Sequence, residues 1–186
     1  MLFNVIGIIL MTLLSSARLA QAFSGQWWAL PLLAHSLLAV ILLVLHDEPA
    51  NDSTLVQQFI AWCSALLPLT IHVGLEIPVM MRMLSLGGVV FALWGLARLG
   101  KAFDIAPADR GLVIRGPYRF MRHPIYAGEL FSVMVMALTD LSLWNGIAIL
   151  SLVFTLVIRI QWEEKIISGY AVYAKNVPSR LVPGLW

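Results

Sequence analysis

Fifteen consecutive residues hold most of the groups able to do chemistry. The run Arg115-Gly116-Pro117-Tyr118-Arg119-Phe120-Met121-Arg122-His123-Pro124-Ile125-Tyr126-Ala127-Gly128-Glu129 contains three arginines, two tyrosines, a histidine and a carboxylate. Imidazole and carboxylate exchange protons, arginine grips carboxylates and phosphates, and tyrosine faces attract cations. The plain alternative is a basic loop that binds anionic headgroups, with its tyrosines as interface anchors. The prolines argue against it, because a headgroup brush needs charge but no fixed shape. Pro117 and Pro124 restrict the backbone, and Pro124 is placed to open a helix with Ile125–Glu129 in its first turn.

A second cluster, Arg159-Ile160-Gln161-Trp162-Glu163-Glu164-Lys165, follows a long apolar run. Arg159 and Glu163 are four apart and share a helix face, which as a surface pair is worth only about 0.2–0.5 kcal/mol. Ionisable groups at a membrane boundary are costly, however, and default to a functional role. If the apolar chain between the clusters folds back, His123, Tyr126, Arg159 and Glu163 surround one pocket.

The positioning elements follow from composition. Of 186 residues, 60% are apolar and only 12% charged, against about 45–50% and about 25% in soluble domains. With a mean hydropathy of +0.88, the chain reads as an integral membrane protein whose first partner is the bilayer. Disorder is excluded, since it requires low hydrophobicity and high net charge. A net charge of +2 gives no case for a nucleic-acid partner, and a single cysteine excludes a disulfide scaffold or an all-cysteine metal site.

Apolar runs long enough to cross a bilayer lie at 2–22, 27–45, 55–75 and 83–99. Pro68 predicts a kink in the third, and Gly87, Gly88 and Gly95 predict close helix approach in the fourth. Residues 129–162 are apolar for about 50 Å if helical, more than one crossing. Thr139-Asp140-Leu141-Ser142 offers a turn, predicting a hairpin of 130–138 and 143–160, followed by an amphipathic tail from 163. Of the twelve Lys and Arg, six lie between Arg98 and Arg122 and four between Arg159 and Arg180, with Arg18 and Arg82 apart. The positive-inside rule then puts the central loop and the tail in the cytoplasm. Four preceding spans put the N-terminus there too; three put it opposite.

The run from Arg110-Gly111-Leu112-Val113 through Arg122-His123-Pro124-Ile125-Tyr126, then Arg159 with Glu163-Glu164, then Tyr170, Tyr173 and Val177, closely resembles the isoprenylcysteine carboxyl methyltransferase family. Related phospholipid methyltransferases share the Arg-His-Pro-x-Tyr and Glu-Glu signatures. The resemblance covers residues 84–186, leaving 1–83 as scaffold helices of a single structural domain. It implies an all-α polytopic membrane bundle of five to six transmembrane segments, with a C-terminal helical hairpin and a cytoplasmic cofactor pocket. It also implies an S-adenosylmethionine-dependent methyltransferase with a lipid-like acceptor, in the inner or plasma membrane if the chain is prokaryotic. By position, the cofactor contacts are Arg110, Gly111, Leu112, Val113, Tyr118, His123, Pro124, Ile125, Tyr126 and Glu163. Arg159 matches the arginine that positions an acceptor carboxylate, and Glu164 a supporting acid; these two are the catalytic candidates. Glu129 departs from the family, whose eukaryotic prenylcysteine enzymes typically carry an aromatic there, and joins Arg159 as a substrate-binding candidate. In its compactness the chain is similar to bacterial and archaeal members.

Methyl transfer from a sulfonium is an in-line displacement, so the protein mainly holds donor and acceptor in line. A carboxylate acceptor needs no base, and Arg159 favours one; an amine acceptor needs a base such as Glu164 or His123. Alternative readings are a phospholipid amine N-methyltransferase, an NADPH-dependent membrane reductase with the 2′-phosphate on loop arginines, and a non-catalytic headgroup-binding protein. Among lesser candidates, His72 and Glu76 are expected to pair with each other or with Arg82, not to ligate metal, which needs three or more convergent donors. Cys63 is expected to pack in the core, and Trp144, Trp162 and Trp186 to anchor at the interface. Asp104 and Asp109 are expected to neutralise the basic loop or cap a helix.

Overall fold

The computed structural model describes residues 2–184 and 186, and among them seven α-helices build the fold. Helices α1 (Leu2–Phe23) and α2 (Ala29–Leu45) make an antiparallel hairpin through a turn in which Gly25 takes φ +84°, a conformation that side-chain-bearing residues resist. The Ser15 hydroxyl donates to Ser36 Oγ at 2.9 Å between them, a polar tie suited to helices that lipid does not press together.

Helix α3 (Leu55–Leu66) opens on a capping box in which Thr54 and Gln57 satisfy one another's backbone N–H groups. It is shorter than its apolar run. Pro68 has no N–H and its ring obstructs the preceding turn, so a 3-10 turn follows at Leu67–Thr70 and the chain beyond is irregular. Two expectations fall with that helix. His72 and Glu76 share no helical face; instead Asn145 binds the His72 backbone at N–H (2.9 Å) and carbonyl (2.8 Å). Cys63 is exposed, because α3 turns Trp62 and Ser64 inward instead.

Helix α4 (Val79–Leu99) starts four residues before its apolar run. The hairpin pairs α5 (Pro124–Ala137) with α6 (Leu143–Ile166), capped by Ser142. Its first arm begins at Pro124, not at residue 130, since proline suits the first helical position. The turn between the arms is knitted to residues 72–74: Asn145 also donates to Asp140 O at 2.7 Å, and the Gly74 N–H donates to Thr139 Oγ1 at 3.0 Å. Helices α4 and α5 approach each other to backbone contact. A Cβ on Gly88 would lie 2.6 Å from the Gly128 carbonyl, and one on Gly128 2.5 Å from the Gly88 carbonyl. Ser85 and Ser132 hydrogen-bond across the same seam at 2.7 Å. Helix α7 (Tyr170–Asn176) closes the tail.

Two short strands, β1 (Asn51–Asp52) and β2 (Ala108–Asp109), pair antiparallel and tie the 46–54 loop to the loop after α4. Nothing in their composition marks them as strands. The protein is all-helical in character, and among the described residues three helices are long and apolar enough to span a membrane: Val5–Phe23, Val79–Ala102 and Leu143–Ile166. Ala29–Leu45, Leu55–Thr70 and Pro124–Ala137 are shorter apolar helices. Leu13, Ile41, Val90, Leu150 and Phe154 point outward, as a lipid-facing surface requires.

Candidate active site

A cavity of about 580 Å³ runs through the bundle, lined by residues of both halves of the chain. Its polar end is where α5 begins, α6 ends and the 104–113 loop crosses. Proline opens α5 and holds His123 as the residue before it, in a non-helical conformation (φ −127°, ψ 63°). The tail locks this corner from outside. The backbone N–H groups of Arg122 and His123 donate to the carbonyls of Ser179 (2.9 Å) and Arg180 (3.0 Å).

Tyr126, in the first turn of α5, joins the two clusters. Its hydroxyl donates to Glu163 Oε1 and accepts from Arg159 Nη2 at 2.9 Å. The Arg159 guanidinium also lies 4.8 Å from the Tyr126 ring centre. No direct Arg159–Glu163 ion pair is present among the described residues, so the i,i+4 surface pair is replaced by a pair bridged through tyrosine. Arg159 is 5% exposed. It donates to the Ile105 carbonyl at 2.7 Å and to Ser64 Oγ at 3.4 Å, while its Nε is buried without a hydrogen-bond partner.

His123 stacks on Tyr126 with ring centres 5.7 Å apart. Its Nδ1 is 3.5 Å from Glu163 Oε2, and its Nε2 is 3.4 Å from Glu164 and 3.0 Å from the Tyr170 hydroxyl. Burial works to depress the imidazole pKa. Hydrogen bonds to Glu163 and Glu164, with their negative charge, outweigh burial and raise it above the ordinary value. Glu164 is gripped by Arg122 at 2.9 Å and by Arg180 at 2.9 and 3.0 Å. Tyr173 donates to the Tyr118 carbonyl at 2.6 Å, and burial lifts its own hydroxyl pKa to about 12; burial also raises those of Tyr118 and Tyr170. All three tyrosines wall the cavity as neutral rings.

The fold therefore brings Gly111, Leu112, Val113, Tyr118, His123, Ile125, Tyr126, Glu129, Arg159 and Glu163 to one cavity. Arg110, Pro124 and Glu164 do not line it. The Arg110 side chain is spent on Asp104 at 2.6 Å and on the Asp47 carbonyl, which makes Asp104 the neutralising acid expected of it. Asp109 accepts from the Ser168 hydroxyl at 2.6 Å and backbone at 3.0 Å, joining loop to tail. The hydroxyl bond foremost lowers its pKa, against burial, and the backbone N–H groups of Ser168 and Gly111 add to the lowering. Sequence reasoning did not find Ser64, the Ile105 carbonyl or Arg180. None carries a local signal, because each reaches the site from a distant element.

The family model for phospholipid methyltransferases matches residues 78–175, more than half of the chain. The chain belongs to the phospholipid methyltransferase family. It is thus a member of a membrane methyltransferase family, in agreement with the resemblance carried by its motifs. Searches of curated proteins and of solved structures return no match. Members of this family typically use S-adenosylmethionine. The polar end of this methyltransferase fits such a group. Glu163 lines the cavity as an acceptor, four tyrosine rings wall it, and among the described residues the backbone N–H groups of Leu112 and Val113 have no hydrogen-bond partner. A volume of about 580 Å³ falls within the usual range for small-molecule sites.

Proposed function

We propose that the chain transfers a methyl group from S-adenosylmethionine to the carboxylate of a small lipid-like acceptor. The observation that carries this reading is Arg159, a buried cation facing the cavity with no carboxylate within ion-pair distance among the described residues. Buried charges are normally paired, so the missing anion arrives with the acceptor. Glu163, His123, Tyr118, Ile125, Tyr126 and the backbone of 111–113 hold the cofactor. When bound, that cofactor supplies an electrophilic methyl whose bond to sulfur breaks as an acceptor oxygen bonds to carbon. No proton moves in such a step. The protein's work is therefore alignment: Arg159 holds the acceptor oxygen, Tyr126 ties Arg159 to Glu163, and the tail clamp on Glu164 keeps the corner rigid.

The placement of the chain in the bilayer is part of the same proposal. The three long helices and the shorter apolar ones make five to six crossings, with ten of twelve basic residues and the active site on the cytoplasmic side. Residues 1–83 act as scaffold and 84–186 as catalytic core. Ser64 and His35, both on the scaffold, face the shared cavity, which favours a single working unit.

The amine alternative is separated by product chemistry. Purified protein is incubated with radiolabelled methyl donor and a lipid extract. A carboxylate product is a methyl ester that alkali hydrolyses to volatile labelled methanol. Label that survives alkali in a non-volatile lipid moves the assignment to an amine acceptor, and no lipid labelling overturns the methyltransferase reading.

A further inference from the structure

Helix α5 acts as a ruler along the cavity. Tyr126, Glu129, Val133 and Met136 recur at helical spacing and all face the cavity. In order they are polar, charged, apolar and apolar. Tyr126 contacts Arg159 at the polar end, and Glu129 lies one turn on, about 4.5 Å along the axis at 1.5 Å per residue. Beyond Glu129 this stripe becomes apolar.

Glu129 meets His35 of α2, with Nε2 3.4 Å from Oε1. A purely structural pair between helices would be closed and aligned. This one is neither. The His35 Nε2 atom has no hydrogen-bond partner, the Glu129 side chain is 43% exposed, and both residues line the cavity. The depth of the pair is fixed by the backbone contact of Gly128 with Gly88, next to Glu129. A carboxylate held there with open lone pairs, in the middle of an apolar bundle, is set to receive a donor from whatever fills the cavity.

We propose that His35 and Glu129 form a second acceptor subsite, which recognises a hydroxyl or amine carried one helical turn from the reacting anion. The acceptor class is then an amphiphile whose head bears an anion and, a few ångströms towards its tail, a hydrogen-bond donor. A plain fatty chain does not satisfy the site. This inference rests on the acceptor binding at Arg159.

The test uses the full chain in detergent, loaded with S-adenosylhomocysteine, and three probes: pentadecanoate, 3-hydroxypentadecanoate and 3-aminopentadecanoate. Calorimetry is expected to find the two substituted acids bound at least tenfold tighter, as a hydrogen bond to a charged group is worth about 10- to 100-fold. Glu129→Leu abolishes the preference. Glu129→Gln, which keeps the shape, erases the amine preference and serves if leucine disturbs packing. S-adenosylhomocysteine affinity reports that each variant is folded. Equal affinity of the three probes in wild type, a preference that survives in both variants, or no probe binding overturns the subsite. Failure of wild type to bind S-adenosylhomocysteine overturns the methyltransferase reading instead, so the two failures are distinct.

Discussion

Replacing Gly128 by alanine tests whether the α4–α5 seam sets the site's geometry. The added Cβ would stand 2.5 Å from the Gly88 carbonyl oxygen and 2.7 Å from the Ala92 nitrogen. Both neighbours are backbone, so no side chain can swing aside. Restoring an ordinary contact of about 3.4 Å requires the helices to part by about 0.9 Å. Overpacking of this kind costs about 1–3 kcal/mol, a fall of several degrees in Tm at about 2–4 °C per kcal/mol. The larger effect falls on function. Tyr126 sits on the displaced helix, and a misplacement of about 1 Å in a catalytic constellation can cost about 100-fold in rate. Thermal unfolding in detergent and turnover of labelled methyl donor measure both. Gly87→Ala is the control, since its Cβ meets nothing within 4 Å; it leaves Tm unchanged or raises it. Equal behaviour of G87A and G128A in either assay would refute the reasoning.

Arg159→Lys cannot keep the bonds to Ile105 and Tyr126 while also presenting a fork to an acceptor; acceptor KM rises about 10- to 100-fold with cofactor affinity retained, and an unchanged KM contradicts the role. His123 has a raised pKa in the folded chain, so its protonation contributes stability that is complete below about pH 6.5 and is lost as pH climbs through the higher folded-state value. Thermal unfolding followed from about pH 6 to pH 9 declines on that limb in wild type and is flattened in His123→Gln; parallel profiles contradict the pairing with Glu163 and Glu164. Arg180→Ala removes two of the bonds on Glu164, and hydrogen exchange of the Arg122 and His123 amides, which the tail carbonyls hold, is expected to rise; protection equal to wild type would show that the tail docks without this clamp.

The helices were legible because hydropathy and punctuation agree: Pro124 starts α5, Ser142 starts α6, and the Thr139–Ser142 turn lies between them. The convergence of His123, Tyr126, Arg159 and Glu163 was legible too, since a hairpin of two helices leaves those ends nowhere else to meet. What the sequence hid was tertiary. Pro68 reads as a kink within a long apolar run, yet it ends the helix because Asn145 and Thr139 capture the backbone just beyond. Cys63 and Trp62 are neighbours in one apolar segment, and only packing decides which faces in. The bridge through the Tyr126 hydroxyl replaced a simple i,i+4 pair because both charges face the cavity rather than each other. Glu164 stood out by its motif, but its engagement by Arg180 depends on a tail that folds back from more than a dozen residues away, and that by Arg122 on the loop before α5.

The most direct test of the central claim is calorimetric titration of the detergent-purified chain with S-adenosylhomocysteine, repeated with Glu163→Gln. Saturable one-to-one binding in wild type, weakened at least tenfold in E163Q, is what a cofactor site at the His123–Glu163 corner predicts. No binding in wild type, or equal binding in both, contradicts it.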